Sequence, residues 1–111
     1  MSDQTYIQID DLKALMGEIP EDSIISRTFH EDHNSKSVLF GFAPGQVLSE
    51  HTAAKPAVLY FLTGQASLTL GDDEKSAGPG TWVHMPPHLP HSVVAETEVL
   101  MLLVLFLGPT T

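Results

Sequence analysis

Histidine offers the most chemistry in this sequence, and three of the six histidines fall in one short run. Residues 80–91 hold His84, His88 and His91 around a corner that contains three prolines. Residues 82–85 alternate like a short strand, which the first two prolines must end because neither can donate a ladder hydrogen bond. A rigid corner holds imidazoles in fixed geometry, which suits either a metal ion or proton transfer.

The elements that must position these histidines are short strands. Apolar runs alternate with glycine- and proline-rich turns at intervals of about 8–12 residues, which is typical of a β-sandwich or barrel. We predict an all-β fold, a sandwich or barrel over about residues 24–107, preceded by a short strand and helix within about residues 5–17. An aspartate, Asp10 or Asp11, caps that helix, and Gly17 ends it.

The composition of the chain argues against several classes of function. A chain of 111 residues forms one domain, and its formal charge of −9 argues against nucleic-acid partners and anionic membrane surfaces. The absence of cysteine excludes disulfides, thiolate metal sites and cysteine nucleophiles. No signal peptide is visible, and the longest apolar run, residues 99–107, is about half of the roughly 20 residues that a membrane helix needs. These features predict a cytoplasmic protein.

The same apolar run, residues 99–107, predicts a partner. A strand with one wet face alternates apolar and polar residues, whereas this run is apolar throughout. Either the N-terminal helix covers its second face or a second copy of the chain does. We favour the second copy and predict a homodimer with this strand at or near the interface.

A second histidine segment precedes the first in the chain. His51 lies six residues after Gly45, and Gly64 closes the apolar stretch that follows it. This spacing resembles the first signature motif of the cupin superfamily, which runs Gly, five residues, His-x-His, three or four residues, Glu, six residues, Gly. The family's second histidine and its glutamate are replaced here by Ala53 and Ala57.

Residues 80–95 resemble the second cupin motif, which runs Gly, five residues, Pro-x-Gly, two residues, His, three residues, Asn. Gly80, Pro86 and His91 match it, whereas His88 stands for the glycine and alanine stands for the terminal asparagine. The resemblance implies the family's double-stranded β-helix, a small jelly roll. The glycine of that motif lies in a tight turn, and histidine is among the residues that tolerate a positive φ there.

The resemblance keeps only His51 and His91 of the family's four usual metal ligands. Two imidazoles alone are a poor site, since catalytic zinc usually has three protein ligands and non-haem iron often takes two histidines and a carboxylate. His84 is a candidate third ligand because its face of the strand could point into the barrel. A divalent zinc, iron, manganese or nickel ion is one interpretation; direct binding of a ligand's oxygen atoms by the two histidines is the other.

The resemblance also implies an apolar cavity with the two histidines at one end. Its lining would come from both segments: Ala53, Ala57, Leu59, Phe61, Trp82, Met85 and His88. Such a site suits a small, mostly apolar molecule with one carbonyl or carboxylate group. A strongly anionic sugar phosphate fits poorly, since Lys55 is the only basic residue in either motif.

Three functions agree with these residues. The first is a stand-alone cupin that binds a small molecule, with or without a metal. The second is a metal-dependent enzyme of the dioxygenase, isomerase or decarboxylase type. The third is a structural dimer with a vestigial pocket. No nucleophile–base pair is visible, so no catalytic residue is assigned.

Overall fold

The computed structural model describes residues 5–108. Within them the chain forms nine strands and one short 3-10 helix, which confirms the predicted all-β fold. The strands, numbered in chain order, are β1 Ile24–Glu31, β2 Ser35–Phe42, β3 Val47–His51, β4 Ala57–Thr63, β5 Ala66–Leu70, β6 Asp73–Ala77, β7 Trp82–Met85, β8 His91–Ala95 and β9 Val99–Phe106.

The strands form two antiparallel sheets. The five-stranded sheet has the order β1-β2-β9-β4-β7, and the four-stranded sheet has the order β3-β8-β5-β6. Only β1–β2 and β5–β6 are both consecutive in the chain and hydrogen-bonded to each other. The chain therefore passes repeatedly from one sheet to the other, as in a jelly roll.

The main core lies between the two sheets. Successive strand side chains point to opposite faces, so Ala57, Leu59 and Phe61 of β4 all face inward and are buried. Leu68 of β5 and Val93 of β8 meet them from the opposite sheet in the same buried cluster. The alternation along each strand thus gives the barrel an apolar interior.

The chain before β1, residues 5–23, which we call the N-terminal segment, differs from the predicted strand and helix. The expected helix is a single 3-10 turn, Leu12–Leu15, in which the Asp11 side chain accepts from the Lys13 N–H, and Gly17 follows with φ +68°. So short a segment cannot propagate an α-helix, because nucleation is costly and few hydrogen bonds follow it. The expected edge strand at residues 5–9 is not formed, and Tyr6 within it is largely exposed.

The N-terminal segment covers part of the outer face of the five-stranded sheet. Met16 is buried there with Leu39 and Leu100. Gly41 makes this approach possible, since a Cβ on it would lie 2.8 Å from the Met16 sulfur and from a terminal carbon of Ile19. Glycine is therefore needed at this position for the segment to pack against β2.

The uninterrupted apolar sequence of β9 is explained by its place in the fold. The strand lies between β2 and β4, and its inward residues, among them Val99 and Met101, belong to the main core. On its outward face Leu100 is buried under the N-terminal segment, whereas Leu102 and Val104 are only half-buried. The N-terminal segment therefore covers one end of the strand's second face and leaves the other end open.

Among residues 5–108 no helix has the length and apolar character that crossing a membrane requires.

Candidate functional site

His51 and His91 meet at one end of the barrel. His51 ends β3 and His91 begins β8, and the two residues are cross-strand partners. Their ring centroids are 4.1 Å apart with the planes at 61°. Strand pairing thus brings together two histidines from separate segments. We call this end, where His51, Ala57, Met85 and His91 lie, the barrel mouth.

The backbone sets the orientation of both rings. The Nδ1 atom of His51 lies 2.8 Å from the Ser49 carbonyl oxygen, and that of His91 lies 2.8 Å from the Leu89 carbonyl oxygen. A carbonyl oxygen can only accept, so each Nδ1 carries the proton and donates it. In the neutral rings Nε2 therefore keeps a free lone pair, which can bind a metal or accept a hydrogen bond.

The two histidines differ in their contact with water. His91 is 7% exposed, whereas His51 is exposed. Burial lowers the pKa of His91 below its ordinary value because it penalises the imidazolium form; the Leu89 carbonyl acts in the opposite direction, and a positive charge on His51 lowers it further. His91 is therefore favoured in the neutral form, with its Nε2 lone pair available.

The residues around the pair are small or apolar. Ala57 and Met85 are buried at the barrel mouth, and Ala53 is half-buried. The Ala53 carbonyl oxygen accepts from the His88 N–H at 2.7 Å, which ties the loops of the two segments together. His88 has φ +69°, so the turn conformation expected at this position is confirmed, and its side chain is exposed.

Trp82 and His84 do not face the barrel. On β7 it is Val83 and Met85 that pack against the core, whereas Trp82 is 61% exposed and its ring stacks against the His84 ring at a centroid distance of 6.5 Å. The interpretation of Trp82 as pocket lining and of His84 as a third metal ligand is therefore wrong. Trp82 and Met85 have opposite parity, so the sequence already ruled out both facing inward.

The donor set does not fit a complete metal centre. Within residues 5–108, no three or more histidine, cysteine, aspartate or glutamate side chains come together in a way that could hold a metal ion. His51 and His91 offer two imidazoles, one fewer than the protein usually supplies to catalytic zinc. Among the described residues, the pair therefore lacks a third side-chain donor.

A separate cleft of about 680 Å³ lies under the N-terminal segment. Tyr6, Ile7 and Phe29 line it together with His30 and Asp32, whose side chains are 3.1 Å apart. None of the residues of the barrel mouth lines this cleft. Asp32 is also engaged already, because it accepts from the backbone N–H groups of the turn that follows it. We therefore place the candidate site at the two histidines.

Comparisons with known proteins agree with the fold. The family model described as "Cupin domain" matches residues 38–106. No curated protein matches the chain. Among solved structures, a cupin superfamily protein from Desulfitobacterium hafniense DCB-2 is 24% identical, with 86% of each chain covered and a TM-score of 0.80.

Two further solved structures are similar to this chain but differ in how much of their own length it covers. A protein from Thermus thermophilus is 26% identical over 93% of this chain and all of its own, with a TM-score of 0.82. The second is Bacillus subtilis oxalate decarboxylase, a protein with Mn(II) centres. It is 26% identical over 79% of this chain and 26% of its own length, with a TM-score of 0.67. The same architecture thus occurs alone and as part of a longer, metal-containing enzyme.

Proposed function

The chain belongs to the cupin family, and on that premise we propose that it is a binding module for a small, mostly apolar molecule. The observation that carries the proposal is the pair of free Nε2 lone pairs, on His51 and His91, at the mouth of an apolar barrel. An apolar cavity with a few convergent polar groups is the usual design of a small-molecule site.

The alanines support a ligand rather than a complete metal centre. Ala53 and Ala57 stand where the family motif has metal ligands, and neither carries a donor atom. Their side chains are small and apolar, so the apolar part of the ligand would lie against them. A hydroxyl or N–H group of the ligand would donate to Nε2 of His51 or of His91.

A second possibility for the same site is that it binds the ligand through a divalent metal ion. His51 and His91 would hold it, with the remaining positions filled by the ligand or by water. When bound, such an ion would polarise a carbonyl or carboxylate of the ligand. Neutral imidazole is a common donor for zinc, iron, copper and nickel, so the two histidines are chemically suitable although too few.

We propose that the protein forms a homodimer through the open part of the five-stranded sheet. Tyr60, Trp82, Leu102 and Val104, which we call the outer patch, lie on its outward face beyond the N-terminal segment. None of these four side chains is charged, although the chain carries −9. Two copies can therefore meet there without opposing carboxylates, and burying Trp82 and Tyr60 would remove exposed aromatic surface from water.

The binding proposal is tested by titrating the protein with a library of small, mostly apolar alcohols, primary amides and hydroxycarboxylates while the imidazole resonances are followed by NMR. Binders should shift the signals of His51 and His91. Replacing either residue in His51→Ala or His91→Ala should weaken binding by about tenfold, the loss of one strong hydrogen bond. The matched control, His84→Ala, removes a histidine from the outer face and should leave binding unchanged.

Elemental analysis of the same untagged variants separates the two interpretations of the site. If the parent holds one metal ion per chain and both His51→Ala and His91→Ala lose it, the metal-dependent alternative is favoured. A library without a compound that shifts either imidazole would refute the binding module. Metal that survives both substitutions would show that other residues hold it.

A further inference from the structure

Lys36 is placed to meet a ligand at the barrel mouth, although it lies outside both histidine segments. Register across the five-stranded sheet aligns Lys36 of β2 with Leu105 of β9, Leu105 with Ala57 of β4, and Ala57 with Met85 of β7. This row of four residues crosses the barrel mouth. Lys36 is the only one of the four that carries a charge.

The side chain of Lys36 belongs to the inward face of β2. Phe40 and Phe42 pack in the main core, and the pairing of β2 with β9 has no irregularity from Ser35 to Phe42. Period-two alternation therefore puts Lys36 on the same face as those two phenylalanines. Leu39, of opposite parity, is buried on the outer face with Met16, which agrees with this assignment.

Lys36 is half-buried and has no ion-pair partner in the described part of the chain. Its register partner on β1 is Glu31, yet no carboxylate within residues 5–108 lies within 4.0 Å of the Lys36 ammonium group. The carboxylates at this end of the molecule are all exposed to water: Glu31, Asp32, Glu50, Asp72 and Asp73. A half-buried ammonium group without a partner leaves a positive charge available to a ligand.

Distance favours a contact between Lys36 and a ligand held at the histidines. Adjacent strands are about 4.8 Å apart, so the Cα atoms of Lys36 and Ala57 are about 10 Å apart across two strand spacings. A lysine side chain reaches about 6 Å from its Cα, which puts a ligand at the mouth within reach of the ammonium group.

We propose that Lys36 binds the anionic group of the ligand and that the ligand class is a small, mostly apolar hydroxycarboxylate. This inference rests on the proposed binding function and deepens it. The carboxylate accepts from the Lys36 ammonium group, the hydroxyl donates to Nε2 of His51 or of His91, and the apolar remainder lies against Ala57 and Met85 at the barrel mouth. Lys55, half-buried in the loop before β4, is the other cation near the mouth and serves as a comparison.

The test compares matched carboxylates and amides. Dissociation constants are measured for 2-hydroxyhexanoate and mandelate and for their primary amides, so that every compound carries a hydroxyl donor for Nε2, with protein of known metal content. The parent should bind each carboxylate about tenfold more tightly than its amide, as expected for one charge-assisted hydrogen bond. Lys36→Met keeps the apolar stem and should abolish this preference while leaving the amide affinity unchanged.

Two control variants and three contrary results test the inference. Lys75→Met, on an exposed edge strand, should keep the full preference, and Lys55→Met should keep most of it. Equal binding of carboxylate and amide at the histidines, or a preference that survives Lys36→Met, would overturn the role of Lys36 but leave the binding module intact. No binding of either series at His51 and His91 would overturn both.

Discussion

The inner and outer faces of the barrel wall are both apolar along β4 and β9, but they differ in what covers them. The four-stranded sheet packs over the inner face and buries residues such as Phe61 completely. On the outer face the N-terminal segment covers only the end near Leu100, and Tyr60 stays 38% exposed. Apolar composition alone therefore does not distinguish a buried core from a partly exposed surface.

The same contrast separates two histidines that are seven residues apart. His91 is buried, donates from Nδ1 to a carbonyl and meets His51 across the strand pair. His84 is exposed and stacks on Trp82. Two histidines of one short segment therefore have different environments, because His84 lies on the outward face of β7 and His91 on the inward face of β8.

The largest effect is expected from truncating neighbouring residues of β4. Phe61→Ala should lower the free energy of unfolding by about 3–5 kcal/mol, because it leaves a cavity in the core. Tyr60→Ala, one position earlier and on the outer face, should cost less than about 1 kcal/mol in the isolated monomer. Chemical denaturation measures both. Equal losses would show that the two faces are equally well packed.

A charge on the outer patch should break the proposed dimer. Trp82→Glu places a carboxylate from each copy at the interface, so light scattering at micromolar concentration should report a monomer where the parent is a dimer. Val94→Glu is the matched control, since Val94 is an exposed apolar residue on the other sheet. A monomeric parent, or a dimer that withstands Trp82→Glu, would contradict the proposal.

The smallest effect is a pH dependence of stability from His91. Its folded-state pKa lies below the unfolded value of about 6.5, so the unfolded chain binds more protons between those two values. The contribution of His91 is therefore complete above pH 6.5 and is lost as the pH falls through the folded-state pKa. Denaturation at pH 5 and pH 7.5 should show a smaller pH dependence for His91→Gln than for the parent.

His84→Gln supplies the comparison for this pH effect. Because His84 is exposed on the outer face, its replacement should leave the pH dependence of the parent in place. A parent whose stability does not fall on acidification, or a His84→Gln variant that loses the dependence while His91→Gln keeps it, would contradict the assignment to the buried ring.

Much of the fold follows from local signals in the sequence. Glycines and prolines separate short apolar runs, and backbone stereochemistry limits what lies between them to strands and turns. His88 adopts the positive φ that its position in the motif predicts, and Gly17 ends the N-terminal turn as expected. The structure has a 3-10 turn where the sequence predicts an N-terminal helix. The predicted capping residue is present, but the segment after it is too short for an α-helix.

Residue types and their spacing predicted the strand architecture and the apolar character of the barrel, and the resemblance to the cupin motifs singled out His51 and His91. Packing of the folded chain was needed to show that Trp82 and His84 face outward, and that Lys36 joins the barrel mouth. Spacing along one strand gives relative parity, whereas the face that is buried depends on which strands pair and in what register. Lys36 lies in the row of Ala57 because β9 stands between their strands, a neighbour relation that no local pattern encodes.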